Sequence, residues 1–263
     1  MRIVHVGAIA AISMLALGAC HRKSEQFPAQ APARQVPLGF SETTPDAKVK
    51  LTLGHRVGEQ PGLRFKLYGD GVKELRVFVD QAHNDHLHLV QKGLPTPPYE
   101  RDIGWTLTAA TPRMLSVMGT WSDYTGGAHP NHGSTGLIWD IGRDHEVART
   151  DLFQPGADEA KLDAVLCRAI KAAKAQRARA AAVGEESGTW SCPKWADSQF
   201  VFAPSTAAGK IGGLVFLFDP YVLGPYAEGD YRVTVPLSAF AESLSPSYAE
   251  EFAGAPAAAA PDR

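Results

Sequence analysis

Between Tyr124 and His132 the chain reads Tyr-Thr-Gly-Gly-Ala-His-Pro-Asn-His, placing two histidines three positions apart behind two glycines and next to a proline. Imidazole titrates near neutrality, and its second nitrogen can be fixed by a neighbour, so His129 and His132 could ligate zinc or act as acid and base. Metalloprotease chemistry would want a glutamate in an HExxH frame, and none is present. The plainer reading is that Gly126 and Gly127 permit a tight crossover and His129 makes a structural hydrogen bond. Tyr124 and Asn131 flank this loop and are candidate ligand contacts with it.

A second cluster, His83, Asp85, His86 and His88, falls in a segment with helical spacing, where successive side chains point about 100 degrees apart, so the four cannot converge on one ion. His86 is expected to pair with an acid one turn away, or else the cluster is a solvated helix face. A third segment, Phe216 to Gly229, runs from an apolar strand into a loop carrying Tyr221 and Tyr226 behind Pro220 and Pro225. Exposed aromatics on so rigid a frame suit a protein or glycan partner, and packing under a sheet corner is the alternative. Serine-hydrolase, phosphate-loop and dinucleotide signatures are absent.

The elements that must position these residues follow from periodicity. Val49–Leu53 and Gly62–Tyr68 read as strands, and Gly71–Val90 as a helix with Val72, Leu75, Val79, Ala82, His86 and Leu89 on one face. Trp105–Ala110 and Met114–Tyr124 read as a strand pair turning at Thr111-Pro112-Arg113. Ser134–Ile141 reads as a strand that turns at Gly142-Arg143-Asp144 into His145-Glu146-Val147. Asp151-Leu152-Phe153 closes an extended arm, and Asp158–Ala182 is the clearest helix, its apolar face formed by Leu162, Val165, Leu166, Ala169 and Ile170. Gln199–Phe202, Leu214–Phe218 and Tyr231–Pro236 complete the strands, with a helical turn over 237–244. This predicts an α+β fold of two small units, 47–122 and 123–246, each a mostly antiparallel sheet packed with a helix. Residues 20–46, rich in Pro, Ala, Gln and Ser, read as a flexible tether, and the Ala/Pro tail 247–263 as disordered.

At the start of the chain, Arg2 precedes the largely apolar stretch Val4–Leu17, which is short for a bilayer span, and Leu17-Gly18-Ala19-Cys20 has the form of a lipobox. Residues 1–19 are therefore expected to be a lipoprotein signal peptide and Cys20 to carry the lipid. Acyl chains contribute about 0.8 kcal/mol of membrane affinity per methylene, so lipid alone can hold the protein. The expected location is a membrane facing the periplasm or cell exterior, and His21 rather than Asp after the cysteine favours the outer membrane of a diderm host. Lipidation of Cys20 leaves Cys167 and Cys192, which are expected to form a disulfide in such a compartment, with a metal pair or free thiols as alternatives. Once residues 1–19 are removed, 25 Lys and Arg face 28 Asp and Glu, which excludes a nucleic-acid binder.

Tyr124–Asn131, Asp151-Leu152-Phe153, Phe218-Asp219-Pro220-Tyr221, Pro225-Tyr226-Ala227-Glu228-Gly229 and Val233-Thr234-Val235-Pro236-Leu237 resemble, in order and spacing, the extracytoplasmic domain shared by the anti-sigma factor RsiV and the peptidoglycan deacetylase PdaC. The resemblance spans about residues 120–244, and 47–119 look like the small domain that commonly precedes it. It implies an envelope sensor or binding module, in one relative able to bind lysozyme. Nothing in the chain resembles a deacetylase catalytic domain or a sigma-binding region, so only the shared module carries over. The resulting expectation is a non-catalytic envelope lipoprotein without cofactor, binding a lysozyme-like protein or a peptidoglycan fragment through Tyr124, Gly126, Gly127, His129, Asn131, His132, Tyr221 and Tyr226. A metal-dependent hydrolase using His129 and His132, and a structural envelope protein without a small ligand, are the alternatives.

Overall fold

Apolar residues four apart decide the first long element: Leu63, Leu67, Gly71 and Leu75 all lie on the buried side of one helix. The computed structural model describes residues 36–181 and 190–258. The expected signal peptide 1–19, Cys20 with its expected lipid, the expected tether as far as residue 35 and residues 259–263 lie outside the described part. Chain order is β1 (Gly39–Thr43), β2 (Ala47–Leu53), a helical turn α1 (His55–Gly58), α2 (Pro61–Gln91), β3 (Tyr99–Ala110), β4 (Met114–Tyr124), β5 (Asn131–Asp140), β6 (His145–Glu146), α3 (Glu159–Ala181), β7 (Gln199–Pro204), β8 (Ile211–Phe218), β9 (Tyr231–Pro236) and a final turn α4 (Pro246–Ala249). Short 3-10 turns lie at Arg149–Leu152, Tyr226–Glu228, Leu237–Ala239 and Ala241–Ser243.

The α+β expectation holds. Strands β1 to β6 form one six-stranded sheet in sequence order, and β7, β8 and β9 form a three-stranded antiparallel sheet. Only β2 and β3 run parallel, because α2 lies between them and carries the chain back to the starting edge. One face of the large sheet, through Val49, Leu51, Ile103, Val117, Leu137 and Trp139, packs under α2. Gly71 lets the helix settle onto Leu51, whose side chain lies 2.9 Å from where a Cβ would stand. Met114 and Ile138 point the other way, into a core shared with the small sheet and with Leu162, Val165, Leu166 and Ile170 of α3. The sheets meet closely at Gly136, where an added Cβ would lie 2.1 Å from the Phe200 carbonyl oxygen. Buried Ser116 seals the contact, its hydroxyl accepting a hydrogen bond from the Phe202 amide at 3.0 Å.

The structure corrects four local expectations. Gly62–Tyr68 is helical, since α2 begins at Pro61, a favourable first helical residue. The alternation Leu63, Phe65, Leu67 imitates a strand, but Phe65 is 71% exposed while the two leucines are buried, so the effective period is four. The tether does not extend to residue 46: Gly39–Thr43 adds an edge strand, pairing Phe40 with Leu51. The tail after residue 247 is ordered as far as residue 258, because Tyr248 and Phe252 enter the core and Pro256 bridges to Ser205. Lastly, Arg149–Leu152 is a 3-10 turn rather than extended chain, although Phe153 does make the expected extended contact, opposite Leu244. The Cys167–Cys192 disulfide is formed and closes 25 residues, a crosslink worth about 3 kcal/mol by loop-closure entropy. No helix among the described residues is long and apolar enough to cross a membrane.

Candidate functional site

The β4–β5 hairpin closes its ladder at Asp123 opposite Asn131, and residues 124–130 form its tip. Gly126 has φ of +82°, a conformation that glycine adopts without penalty. The Tyr124 hydroxyl donates to the Gly127 carbonyl at 3.2 Å, tightening the tip. Beyond it the backbone returns through His129, whose Nδ1 donates to the Pro130 carbonyl at 3.0 Å, and Asn131 is exposed at the start of β5.

The second loop of interest comes to the same place. Tyr226 donates its hydroxyl to the same Pro130 carbonyl at 2.8 Å. Its ring stacks on His129 with centroids 4.1 Å apart and meets the ring of His132 edge-on at 5.9 Å. Tyr221 lies 5.5 Å from Tyr226 and is 57% exposed. Two segments 96 residues apart, singled out separately in the sequence, therefore form one partly exposed aromatic cluster. Tyr124, Gly126, Gly127 and Asn131 belong to the hairpin tip and its first pair, and among the described residues no hydrogen bond or ring pair joins them to Tyr226.

Residues to which sequence alone assigned no role, some inside the quoted motifs and some outside them, hold this cluster in place. At the end of β8, Asp219 accepts hydrogen bonds from the Ser134 amide at 2.9 Å and its hydroxyl at 2.8 Å, tying the loop to β5. The turn that follows is closed by the Val222 amide on the Asp219 carbonyl and puts Tyr221 at φ of +72°. A side chain in that region costs about 1–2 kcal/mol, so the strain is carried at an exposed aromatic. From α3, Lys174 donates to the Leu223 carbonyl at 2.5 Å and to the Glu228 carboxylate at 2.8 Å. Arg177 donates to the carbonyls of Glu228 and Asp230 and lies 3.7 Å over the Tyr231 ring. Burial pushes the Glu228 carboxyl up, but Lys174 and the Tyr231 hydroxyl outweigh it and hold the group below its ordinary value. Burial, reinforced by Glu228, pushes Tyr231 up to about 12, so this hydroxyl remains a donor. The Glu228 carboxylate packs against Gly224, where a Cβ would lie 2.4 Å from one of its oxygens.

A groove of about 400 Å3, its lining mixed between polar side chains and Ile103, Trp121, Gly104 and Gly133, adjoins the cluster and shares His132 with it. Its floor is the half of the large sheet opposite α2, with Lys50, Thr52, Asp102, Thr120 and Ser122, and Arg232 of β9 stands at its side. The alternation of Lys48, Lys50 and Thr52 with Val49, Leu51 and Leu53 is the signal that could have found it. The other histidine cluster does not form a site of this kind. His83 and His86 both hydrogen-bond Asp46 through Nδ1, at 2.8 and 2.9 Å, so the acid partner comes from the β1–β2 turn and not from one helical turn away. Those two bonds hold the Asp46 carboxyl below its ordinary value. His86 is 3% exposed, and the Tyr99 ring meets it edge-on at 4.7 Å. Among the described residues no group of three or more His, Cys, Asp and Glu is arranged to hold a metal.

Residues 150–238 match the family model described as a protein of unknown function, DUF3298. Two solved structures share the fold. One is a DUF3298 family protein from Pseudomonas aeruginosa PAO1, 14% identical with a TM-score of 0.52, covering 82% of this chain and 94% of that one. The other is a DUF3298 family member from Bacteroides fragilis NCTC 9343, 18% identical with a TM-score of 0.52, covering 81% of this chain and 94% of that one. No curated protein matches the chain.

Proposed function

We propose that this chain is a non-catalytic binding module of the cell envelope, held to a membrane by lipid on Cys20, that takes a peptidoglycan fragment at the Tyr226 cluster and the adjoining groove. The observation carrying this reading is the convergence of the His129–His132 loop and the Tyr221–Tyr226 loop on one aromatic surface beside a groove of mixed polar and apolar lining. Aromatic faces pack against the C–H faces of sugar rings, while hydroxyls, carboxylates and cations meet the sugar hydroxyls and acyl or peptide groups. Thr52, Thr120, Ser122, Asp102, Lys50 and Arg232 supply that assortment within one groove. The groove volume is of the order of small-molecule sites, roughly 300–1,000 Å3. The positive φ at Tyr221 supports the same reading, because strain at an exposed side chain is more economically explained by use than by packing.

The test is a calorimetric titration of the mature chain with a disaccharide-tetrapeptide muropeptide and, separately, with lysozyme. Saturable muropeptide binding is the expected outcome. Binding of lysozyme alone would transfer the reading to a protein ligand, and binding of neither would reject it. Lipidation is tested by incorporation of labelled palmitate in a bacterial host, which is expected to be lost in Cys20→Ser.

A further inference from the structure

The largest cavity among those described lies away from the Tyr226 cluster, at the start of α3. It measures about 710 Å3 and is built from the 149–157 segment, the first turn of α3, residues 194–197 and Ser245. Its floor is apolar: Phe153, Leu162, Trp195 and Phe200. The rings form an edge-to-face set, with Phe153 5.6 Å from Trp195 and 6.3 Å from Phe200, so the floor is a rigid part of the core and not a collapsible gap. Trp195 is 4% exposed, and its indole N–H meets no acceptor among the described residues.

The rim carries Asp151, Glu159, Asp163 and Asp197 against Arg149 and Lys194. Lys194 is already paired, whereas Arg149 meets only a neutral amide and keeps its charge, so four carboxylates against two cations leave the rim a formal excess of two negative charges. Lys194 pairs with Asp163 at 2.8 Å, and Arg149 donates to the Gln199 side chain at 2.7 Å. Asp163 also accepts from the Trp195 amide at 2.8 Å, so this pair is part of the pocket wall. Asp151, Glu159 and Asp197 form no ion pair among the described residues. Lys194 senses the resulting field: its hydrogen bond to Asp163 chiefly raises its pKa, and the charges of Asp197 and Glu159 add to that. The positive end of α3 does not cancel the excess, because Asp158 already caps it, accepting from the Lys161 amide at 3.0 Å.

We infer that this cavity is a second binding site, for a small organic cation with an apolar body, the body resting on Phe153, Leu162, Trp195 and Phe200 and the ammonium among Asp151, Glu159 and Asp197. Volume, an apolar floor and a rim on which carboxylates outnumber cations are together what such a ligand requires. Aromatic edges alone would accept any apolar molecule; the unpaired carboxylates select the cation and penalise an anion of the same shape. This site is independent of the Tyr226 cluster, and neither reading needs the other.

The experiment compares three probes of one shape, 2-naphthylmethylammonium, neutral 2-naphthylmethanol and anionic 2-naphthoate, titrated into the mature chain by calorimetry. The Trp195 indole N–H resonance serves as a local reporter. The ammonium is expected to bind saturably with a shift of that resonance, and at least about tenfold more tightly than the naphthoate. The double variant Asp151→Asn/Asp197→Asn, isosteric and on the exposed rim, is expected to weaken the ammonium about five- to tenfold and leave the alcohol unchanged, with circular dichroism confirming the fold. Phe153→Leu is expected to weaken all three probes. Equal binding of ammonium and naphthoate, no effect of the double variant, or no binding of the ammonium would each overturn the inference.

Discussion

Two pairs of histidines stand three residues apart in this chain, and the fold uses them in opposite ways. His83 and His86 sit on α2, where that spacing puts them side by side, and both are spent on the single carboxylate of Asp46. His129 and His132 sit on either side of Pro130 where the hairpin tip enters β5, and both flank the ring of Tyr226. The helix pair reaches back to the β1–β2 turn and fixes α2 on the sheet edge. The loop pair is built on a partly exposed ring beside a groove. Equal spacing thus says little about role; what separates the pairs is whether the shared partner is a carboxylate that ties a helix to a turn or an aromatic ring beside a groove.

That contrast predicts an order of effects. His86→Ala should be the most destabilising, by about 2–4 kcal/mol in urea unfolding, because it removes a buried ring from the edge of Tyr99 and one of the two bonds to Asp46. A loss below about 0.5 kcal/mol would mean that His86 is not the anchor described. Lys174→Met should cost about 1 kcal/mol, since it removes the charged donor shared by the Leu223 carbonyl and Glu228 at the part-exposed base of the Tyr226 loop. It should also reduce binding at the cluster by loosening that loop, whereas an unchanged affinity would show that the clamp does not position it. His132→Ala should change stability by less than about 0.5 kcal/mol.

The Asp46 bridge carries a pH dependence of its own. The Asp46 carboxyl titrates below its ordinary value in the folded chain, so the folded state binds fewer protons there than the unfolded state does. Its contribution is therefore full above the unfolded value and is lost as pH falls through the folded one. The difference in unfolding free energy between the wild type and Asp46→Asn should shrink on going from about pH 6 to about pH 3. A difference that is flat or grows on acidification would contradict the Asp46 bridge.

Much of the scaffold was legible because its signals are local. The 105–124 hairpin, the long helix from residue 159 and the last three strands carry clean periodicity, and an even pair of cysteines pointed to the disulfide. Where two periods competed, as at Leu63-Phe65-Leu67, local pattern misled and only burial against β2 settled the helix. Gly39–Thr43 and the segment around Tyr248 and Phe252 are too sparse in apolar residues to announce themselves, and long-range pairing gives them their order. Both halves of the aromatic cluster were visible as unusual loops, yet their meeting at Tyr226 was not, since nothing local encodes a contact across 96 residues. Asp46, Lys174 and Arg177 escaped notice for the same reason, and Asp219, though inside the Phe218–Tyr221 motif, carried no role there: each is an ordinary surface-type residue until the fold delivers its partner.

The central claim is that Tyr226 organises a ligand surface and is not merely a loop closure. Its most direct test is titration of residues 20–263, and of the same chain carrying Tyr226→Ala, with a disaccharide-tetrapeptide muropeptide, alongside urea unfolding of both proteins. The account predicts saturable binding by the wild type and at least about tenfold weaker binding by the variant, for a stability loss of only about 1–2 kcal/mol. Muropeptide affinity that is undiminished in Tyr226→Ala, or absent from the wild type, would contradict it.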